Sequence, residues 1–246
     1  MTPLDLALLA AAIIMVSAFV RSALGFGDAV LAMPLLAVFL DLRTATPFVA
    51  FIGPTISILI LARDWRKSDF KTSLRLVVAS LVGIPAGIVL LTRLSEGPLR
   101  IVLGLLIFLY GIYGLWRPGL RIRNEPRGFV WGVGLLAGML GGAFNTNGPP
   151  VVVYGLARGW TPATFRATLQ GYFLPTGLFI LAGHGVAGLW TAEVVRLYLF
   201  SVPGLLLGVY LGGRVNRILP AERFNRFVFI ALAAMGALLI LRALRP

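Results

Sequence analysis

The sequence has 246 residues, of which 59% are hydrophobic and 13% are charged, and its mean hydropathy is +0.93. Soluble domains are nearer half apolar and a quarter charged, so these values exclude an ordinary soluble protein. The net charge of +13 comes from basic residues clustered between apolar runs, which is the positive-inside pattern of membrane proteins and not a nucleic-acid surface. The sequence contains no cysteine, which excludes disulfides and cysteine-ligated metals.

Apolar segments long enough to cross a bilayer recur along the chain, and they lack the apolar–polar alternation of barrel strands. The sequence therefore predicts an all-α integral membrane protein. The predicted segments of the first half are 4–40, which is interrupted, 44–62, 72–92 and 98–116. Those of the second half are 128–157, also interrupted, 161–182, 191–213 and 227–244. The first span lacks the basic start of a cleavable signal, so we expect it to be retained.

Short motifs shared by the two halves indicate an internal repeat. In the broken elements, "GFGDAVLAMP" sets against "GGAFNTNGPP", with Gly25 over Gly141 and Pro34 over Pro150. In a later span, "GIPAGIVLLTR" sets against "GLLLGVYLGGR", which places Gly83 and Gly87 over Gly204 and Gly208. We expect one structural domain made of a first membrane repeat, a cytoplasmic linker and a second membrane repeat, at 1–117, 118–127 and 128–246.

Lysines and arginines predict the orientation, because short loops rich in them stay in the cytoplasm. Basic clusters lie around Lys67, in the linker and around Arg217, so all three loops should be cytoplasmic. Between the last two loops the spans 161–182 and 191–213 are two crossings, so the broken element 128–157 should enter and leave on one side. Each half is therefore predicted to be a broken, re-entrant-type helical hairpin followed by three transmembrane helices. The halves should be inverted copies in a multi-pass protein of the inner (plasma) membrane.

The two breaks form the candidate binding site. Backbone that leaves a helix inside a membrane is tolerated where protein or a water-filled cavity surrounds it. The N-terminus of a half-helix there offers N–H groups and partial positive charge to an anion, and paired broken helices commonly mark a transporter's substrate site. The predicted substrate-binding residues are Arg21, Gly25, Gly27, Asp28, Asn145, Thr146, Asn147, Gly148 and Gln170. We predict no catalytic residue, no metal ligand and no cofactor.

The charged pair at the first break leaves alternatives open. Arg21 supplies a fixed positive charge to an anion, or neutralises Asp28 in an internal ion pair, and the two roles are compatible. Asp28 itself caps the half-helix by accepting N–H bonds, or titrates and couples transport to protons.

Two further polar residues lie in the spans, and one lies beside a span. Gln170 is expected either to line the pore or to pack between helices. Ser57 is expected to bond a preceding carbonyl rather than line the path. His184 lies in the glycine-rich stretch "AGHGVAG" and is expected in a loop near the membrane surface.

"GFGD" also matches the GxGD signature of intramembrane aspartyl proteases, whose chemistry needs two carboxylates that share a proton. The other acidic residues lie in or beside predicted loops, so no second aspartate is expected near Asp28. An enzyme is therefore not predicted.

At the two breaks the sequence resembles the sulfite exporter TauE/SafE family of membrane permeases. The resemblance rests on "RSALGFGDAVLAMPLLAVFL" and "GGAFNTNGPPVVVYGLARGWTPATFRATLQGYF" and extends over essentially the whole chain. It implies secondary transport, by export or import, of a small anion such as sulfite, a sulfonate or another organosulfur anion. By the same resemblance the central site would be lined by Gly25, Gly27, Pro34, Gly148, Pro149 and Pro150. The acid in "GFGD" and the asparagines of the second motif depart from the glycine-rich family pattern.

We therefore predict a transporter that moves a small anion by alternating access. The alternative is a proton- or cation-coupled transporter of a neutral or amphipathic metabolite, with Asp28 as the coupling group. A non-transporting scaffold is a third class. The predicted partners are the small anion and the lipid bilayer, without nucleic acid; coupling to a proton or sodium and pairing as a homodimer stay open.

Overall fold

The structure, a computed structural model, describes residues 2–64, 69–116, 121–122, 126, 128–215 and 221–244. Side chains are described for these residues except 60–64, 162 and 221–226. The predictions for the loops at Lys67, Asn124 and Ile218, and for most of the linker 118–127, lie outside the described residues.

The described part of the chain contains ten α-helices and no β-strand. The first half contains α1 (Pro3–Leu24), α2 (Asp28–Leu36), α3 (Leu42–Asp64), α4 (Phe70–Arg93) and α5 (Glu96–Trp116). The second half contains α6 (Phe129–Phe144), α7 (Gly148–Ala157), α8 (Pro162–Val186), α9 (Ala192–Val215) and α10 (Ala221–Leu244). The all-α prediction and the division into apolar segments are confirmed.

Both interrupted segments are broken where the sequence predicts. Gly25 and Gly27 separate α1 from α2 with φ of 91° and 102°, in the left-handed region that glycine tolerates. Asn145 ends α6 with φ of 54°, and among the described residues it alone has a positive φ without being glycine. Asparagine is one of the few residues that visit this region, so each break has a local backbone cause.

Six of the described helices contain a stretch long and apolar enough to cross a membrane. These stretches are Pro3–Leu24, Leu42–Leu59, Phe70–Arg93, Glu96–Trp116, Ala192–Val215 and Phe227–Leu244. The two helices of the second broken element have 16 and 10 residues and are shorter than a span. In the first element α1 has 22 residues, so only the second element consists of two short helices. The chain is a multi-pass membrane protein, and the re-entrant course of its broken elements stays a prediction.

Helices of different halves pack most extensively on each other, in the pairs α4 with α6, α1 with α9, and α5 with α10. Glycines allow the first pair to approach closely, since a Cβ on Gly83 would meet the carbonyl oxygen of Leu135 and one on Gly87 that of Met139. Because residue numbers rise together along both helices, α4 and α6 run parallel.

The same packing recurs between α9 and α1. A Cβ on Gly208 would meet the carbonyl oxygen of Met15, and one on Gly212 that of Phe19. When α1 and α6 are matched at their last residues, Leu24 and Phe144, Met15 corresponds to Leu135. Gly208 then has the place of Gly83, so the predicted alignment of Gly83 with Gly204 is wrong by one helical turn. Glycines recur every four residues along α9, so a slip of one turn leaves the motif unchanged.

The alignment of the two breaks is wrong by four residues as well. The last residues of α1 and α6 are Leu24 and Phe144, so Gly25 corresponds to Asn145 and not to Gly141. The predicted alignment matched Pro34 with Pro150, and these prolines are not equivalent. Pro34 lies inside α2, whereas Pro150 lies in the first turn of α7.

The helices α5 and α10 run antiparallel. Gly104 of α5 approaches Ile240 of α10, whereas Gly114 approaches Phe229, so residue numbers rise along one helix as they fall along the other. These two helices end their respective halves and pack side by side. The helices α3 and α8 pack on each other and lie next to both breaks.

Candidate functional site

The two breaks meet around a small enclosed cavity. Its volume is about 20 Å³, which is room for about one water molecule. The residues that line it are Arg21, Gly27, Asp28, Ala29, Val30, Gly53, Asn145, Thr146, Asn147, Gly148, Phe173 and Gly177. Seven of the nine predicted site residues are therefore brought together, although they come from positions more than a hundred residues apart.

Arg21 is the centre of the polar network. It lies in the last turn of α1 with 3% of its surface exposed. Its Nη1 donates to Asp28 Oδ2 at 2.5 Å, and its Nη2 donates to Ser57 Oγ at 2.5 Å and to Gln170 Oε1 at 3.3 Å. The guanidinium carbon lies 4.9 Å from the centre of the Phe173 ring. Acceptors on three other helices thus fix the orientation of the cation.

Two buried polar atoms at the cavity have no hydrogen-bond partner among the described residues. They are the Nε of Arg21 and the Oγ1 of Thr146, whose residue is fully buried. A buried donor without a partner is destabilising, so native proteins seldom leave one unless water or a ligand satisfies it. Both residues line the cavity, so its wall contains one cationic and one neutral donor without a partner.

Asp28 does not cap its helix. It is the first residue of α2, Gly27 occupies the cap position, and no side chain caps this helix end. The prediction of a capping role is wrong because the carboxylate turns to Arg21, which offers a charged donor. The ion pair that the sequence left as an alternative is present, buried to 4% and 9% side-chain exposure.

Gln170 and Gly25 lie beside the cavity and do not line it. The Gln170 Nε2 donates to the carbonyl oxygen of Gly25 at 2.8 Å, while its Oε1 accepts from Arg21. One amide from α8 therefore holds both the end of α1 and the guanidinium, so Gln170 positions Arg21 from the other half of the chain. Gly25 packs against Arg166, whose Cγ would lie 3.1 Å from a Cβ at this position.

At the second break the backbone faces the cavity as well. Gly148 begins α7, and no side chain caps this helix end either. The Asn147 Nδ2 donates to Thr176 Oγ1 at 3.1 Å, so this amide is held by α8. Two uncapped helix N-termini thus contribute to the lining of one cavity, and each carries a partial positive charge of about half a unit.

Two expectations about single residues are wrong. Ser57 Oγ accepts from Arg21, and no bond from Ser57 to a preceding carbonyl is found among the described residues. A buried arginine needs acceptors on neighbouring helices, and this requirement was the signal that could have shown the role of Ser57. His184 is fully buried inside α8, where its Nε2 lies 2.9 Å from the Gly142 carbonyl oxygen. The flanking Gly183 and Gly185 suggested a loop. A Cβ on Gly183 would clash with Ile88 and one on Gly185 with Trp190, so these glycines permit close packing.

The prolines that the family resemblance places at the site are not in the cavity lining. Pro34 is buried inside α2, and Pro149 and Pro150 face a different, apolar cavity beside α5. Among the described residues, no group of three or more histidine, aspartate or glutamate side chains could hold a metal ion.

Comparison with known proteins identifies the family of the chain. The model of the family described as Sulfite exporter TauE/SafE matches residues 9–239. A protein of Cupriavidus necator, described as a probable sulfite/organosulfonate exporter TauE, is 23% identical over 206 residues, which cover 80% of each chain. No solved structure matches the chain.

Proposed function

Since this chain belongs to the sulfite exporter TauE/SafE family of membrane transporters, we propose that it carries a small organosulfur anion, such as sulfite or a sulfonate, through the cavity between its two breaks. Family membership confirms that the protein is a transporter and not an enzyme. The name of the Cupriavidus necator relative supports sulfite and organosulfonates as the class of substrate. The inner membrane is the proposed location.

One observation carries the proposal: two uncapped helix N-termini, the buried Arg21 and the unpartnered Thr146 hydroxyl converge on one cavity. N–H groups, a guanidinium and a hydroxyl are all donors, and a sulfur oxyanion is made of acceptors. Asp28 offsets the charge of Arg21, so the two helix ends supply the net positive field for the anion.

We further propose that transport proceeds by alternating access between inverted repeats. The antiparallel course of α5 and α10, and the recurrence of the α4–α6 packing between α9 and α1, support an inverted relationship of the halves. The cavity in this conformation holds about one water molecule, so a sulfur oxyanion requires the surrounding helices to move apart. Movement of one half against the other around a fixed central site provides that opening.

The proposal is tested by thermal unfolding of the purified protein with sulfite, sulfate, methanesulfonate, taurine and acetate. A ligand that binds only the folded state raises the unfolding temperature as its concentration rises. We expect sulfite or a sulfonate to stabilise the wild type and to leave the Arg21→Gln variant unchanged. Failure of sulfite, methanesulfonate and taurine to stabilise the wild type would contradict the proposal. The alternative, in which Asp28 couples transport to protons, predicts stabilisation by a neutral metabolite instead.

A further inference from the structure

A second cavity lies outside the proposed substrate site. It is an open groove of about 940 Å³ on the side of the bundle, and we call it the lateral groove. Its walls come from 102–113 of α5, 129–140 of α6 and 149–157 of α7, with Arg121 and Ile122 at one end. The lining is almost entirely apolar, and Arg121 is the one charged residue among the described residues that form it.

The groove has the length of one bilayer leaflet. The stretch 102–113 of α5 and the stretch 129–140 of α6 each extend over eleven residue steps, which is about 16 Å at 1.5 Å per residue. Half of a hydrocarbon core of roughly 30 Å is about 15 Å. An extended acyl chain of one leaflet therefore fits from end to end.

The two ends of the groove differ in chemistry. At one end, the backbone N–H of Ile122 donates to the carbonyl oxygen of Ala157 at 2.9 Å, which holds the neighbouring Arg121 beside the C-terminus of α7. At the other end only apolar residues line the groove, among them Leu140 and Pro149. This is the polarity of a lipid, with a charged head at one end and a hydrocarbon tail at the other.

Tyr110 contributes to the wall of the groove as well. The hydroxyl of Tyr110 has no hydrogen-bond partner among the described residues, and the residue is 4% exposed. Its ring is fixed edge-on against Phe229 at a centroid distance of 5.6 Å. The hydroxyl is enclosed by protein, so Tyr110 presents ring surface to the groove and adds to its apolar wall.

We propose that the lateral groove binds one acyl chain of an anionic phospholipid. The phosphate lies at Arg121, and the chain follows α5 and α6 to Pro149. Basic residues at the membrane surface favour anionic over zwitterionic head groups, so Arg121, the one charged residue among the described residues of the groove, favours an anionic lipid. Pro149 touches the groove and its neighbour Gly148 touches the substrate cavity, so the bound chain supports the first turn of α7 from behind.

Native mass spectrometry of the purified full chain with added dioleoyl phosphatidylglycerol or phosphatidylethanolamine tests the head group. We expect the wild type to retain one phosphatidylglycerol about fivefold more strongly than phosphatidylethanolamine. Arg121→Gln should make the two lipids equal. Arg196→Gln removes an exposed charge at the start of α9, outside the groove, and should behave as the wild type. Equal retention of both lipids by the wild type would overturn the choice of an anionic head group.

A second pair of variants tests the tail. A Cβ on Gly132, in the groove wall, and one on Gly97, outside it, both meet open space, so neither substitution forces a clash. Gly132→Phe should fill the groove and lower retention of both lipids at least about fivefold, while Gly97→Phe changes neither. Unchanged retention by Gly132→Phe would overturn the proposal. So would a wild-type dimer that this substitution converts to a monomer, because the groove would then be a protein interface.

Discussion

Arg21 and Gln170 lie 149 positions apart in the sequence, yet the Arg21 Nη2 and the Gln170 Oε1 are 3.3 Å apart inside the bundle. The same Gln170 side chain bonds the carbonyl oxygen of Gly25 at the first break. A helix of the second half thus holds the main cation of the first half. Any movement of one half against the other must therefore change the hydrogen bonds of Arg21.

Replacing Arg21 should separate its electrostatic role from its structural one. Arg21→Gln leaves the Asp28 carboxylate buried without its counter-charge, and breaking a buried pair destabilises by about 3–5 kcal/mol. The double variant with Asp28→Asn should recover much of that stability but should bind the anion more weakly than the wild type, because the guanidinium donor is absent. The Arg21→Lys variant should bind the anion weakly, because lysine keeps the positive charge but lacks the paired N–H donors of the guanidinium. Unfolding and binding of the three variants provide the measurement, and normal transport by the double variant would remove both residues from the mechanism.

Thr146→Val removes the unpartnered hydroxyl at nearly constant shape. We expect anion affinity to fall by about 1–3 kcal/mol, while the free energy of unfolding without ligand stays unchanged or rises. The matched control is Thr168→Val, because the Thr168 hydroxyl accepts from the backbone N–H of Asp69 at 2.9 Å. This control should destabilise the protein and leave its affinity alone. Isothermal titration of both variants decides the matter, and an unchanged affinity of Thr146→Val would exclude this hydroxyl as a ligand.

The two asparagines of the second break should behave differently from each other. Asn145→Gly keeps a residue that tolerates the positive φ and removes only the amide, so it should weaken anion binding with little change in stability. Asn147→Ala also breaks the bond to Thr176, so it should lower both affinity and the stability of the ligand-free protein. Equal affinities of Asn145→Gly and wild type would mean that the Asn145 side chain does not contact the anion.

Alanine at equivalent glycines tests the repeat. Gly83→Ala and Gly208→Ala both push a methyl group into a backbone carbonyl of the facing helix, so each should lower the free energy of unfolding by about 1–3 kcal/mol. Gly132→Ala projects into open space and should be neutral or slightly stabilising, because alanine favours helix. The measurement is unfolding in mixed micelles, and a harmless Gly208→Ala would contradict the equivalence of the two interfaces.

Single-cysteine labelling tests the orientation, and the natural lack of cysteine makes each introduced thiol unique. Residues near Lys67, Asn124 and Ile218 should react only from the cytoplasm, whereas residues near Glu96 and Gly185 should react from outside. Labelling of position 218 from outside would exclude the re-entrant course of 128–157 and restore eight simple spans.

The sequence predicted the breaks well because their causes are local. Gly25, Gly27 and Asn145 adopt backbone conformations that few other residues tolerate, so their positions mark the helix ends directly. The polar residues next to the breaks lie within apolar segments, so the sequence also predicted that they lie inside the membrane. Most of them line the same cavity.

The partners across the bundle could not be predicted in the same way. The bond from Arg21 to Ser57 depends on how α3 lies against α1, and the burial of His184 depends on the approach of α6. From sequence alone, a glycine that permits close helix packing cannot be distinguished from a glycine that ends a helix. The glycines around His184 were therefore taken to indicate a loop. The alignment of the two halves was wrong for a related reason. Glycines that recur at every helical turn align equally well after a shift of one turn.

The pairing of α1 with α9 also determines when the protein can assemble. Ala192, where α9 begins, follows Leu24, where α1 ends, by 168 positions. At 5–20 residues per second the ribosome needs roughly 10 to 30 s to make that length. During this interval the face of α1 that later packs against the glycines of α9 is exposed in the bilayer without its partner. Biogenesis is therefore completed late, and a chain truncated before α9 should offer this face to the membrane quality-control machinery.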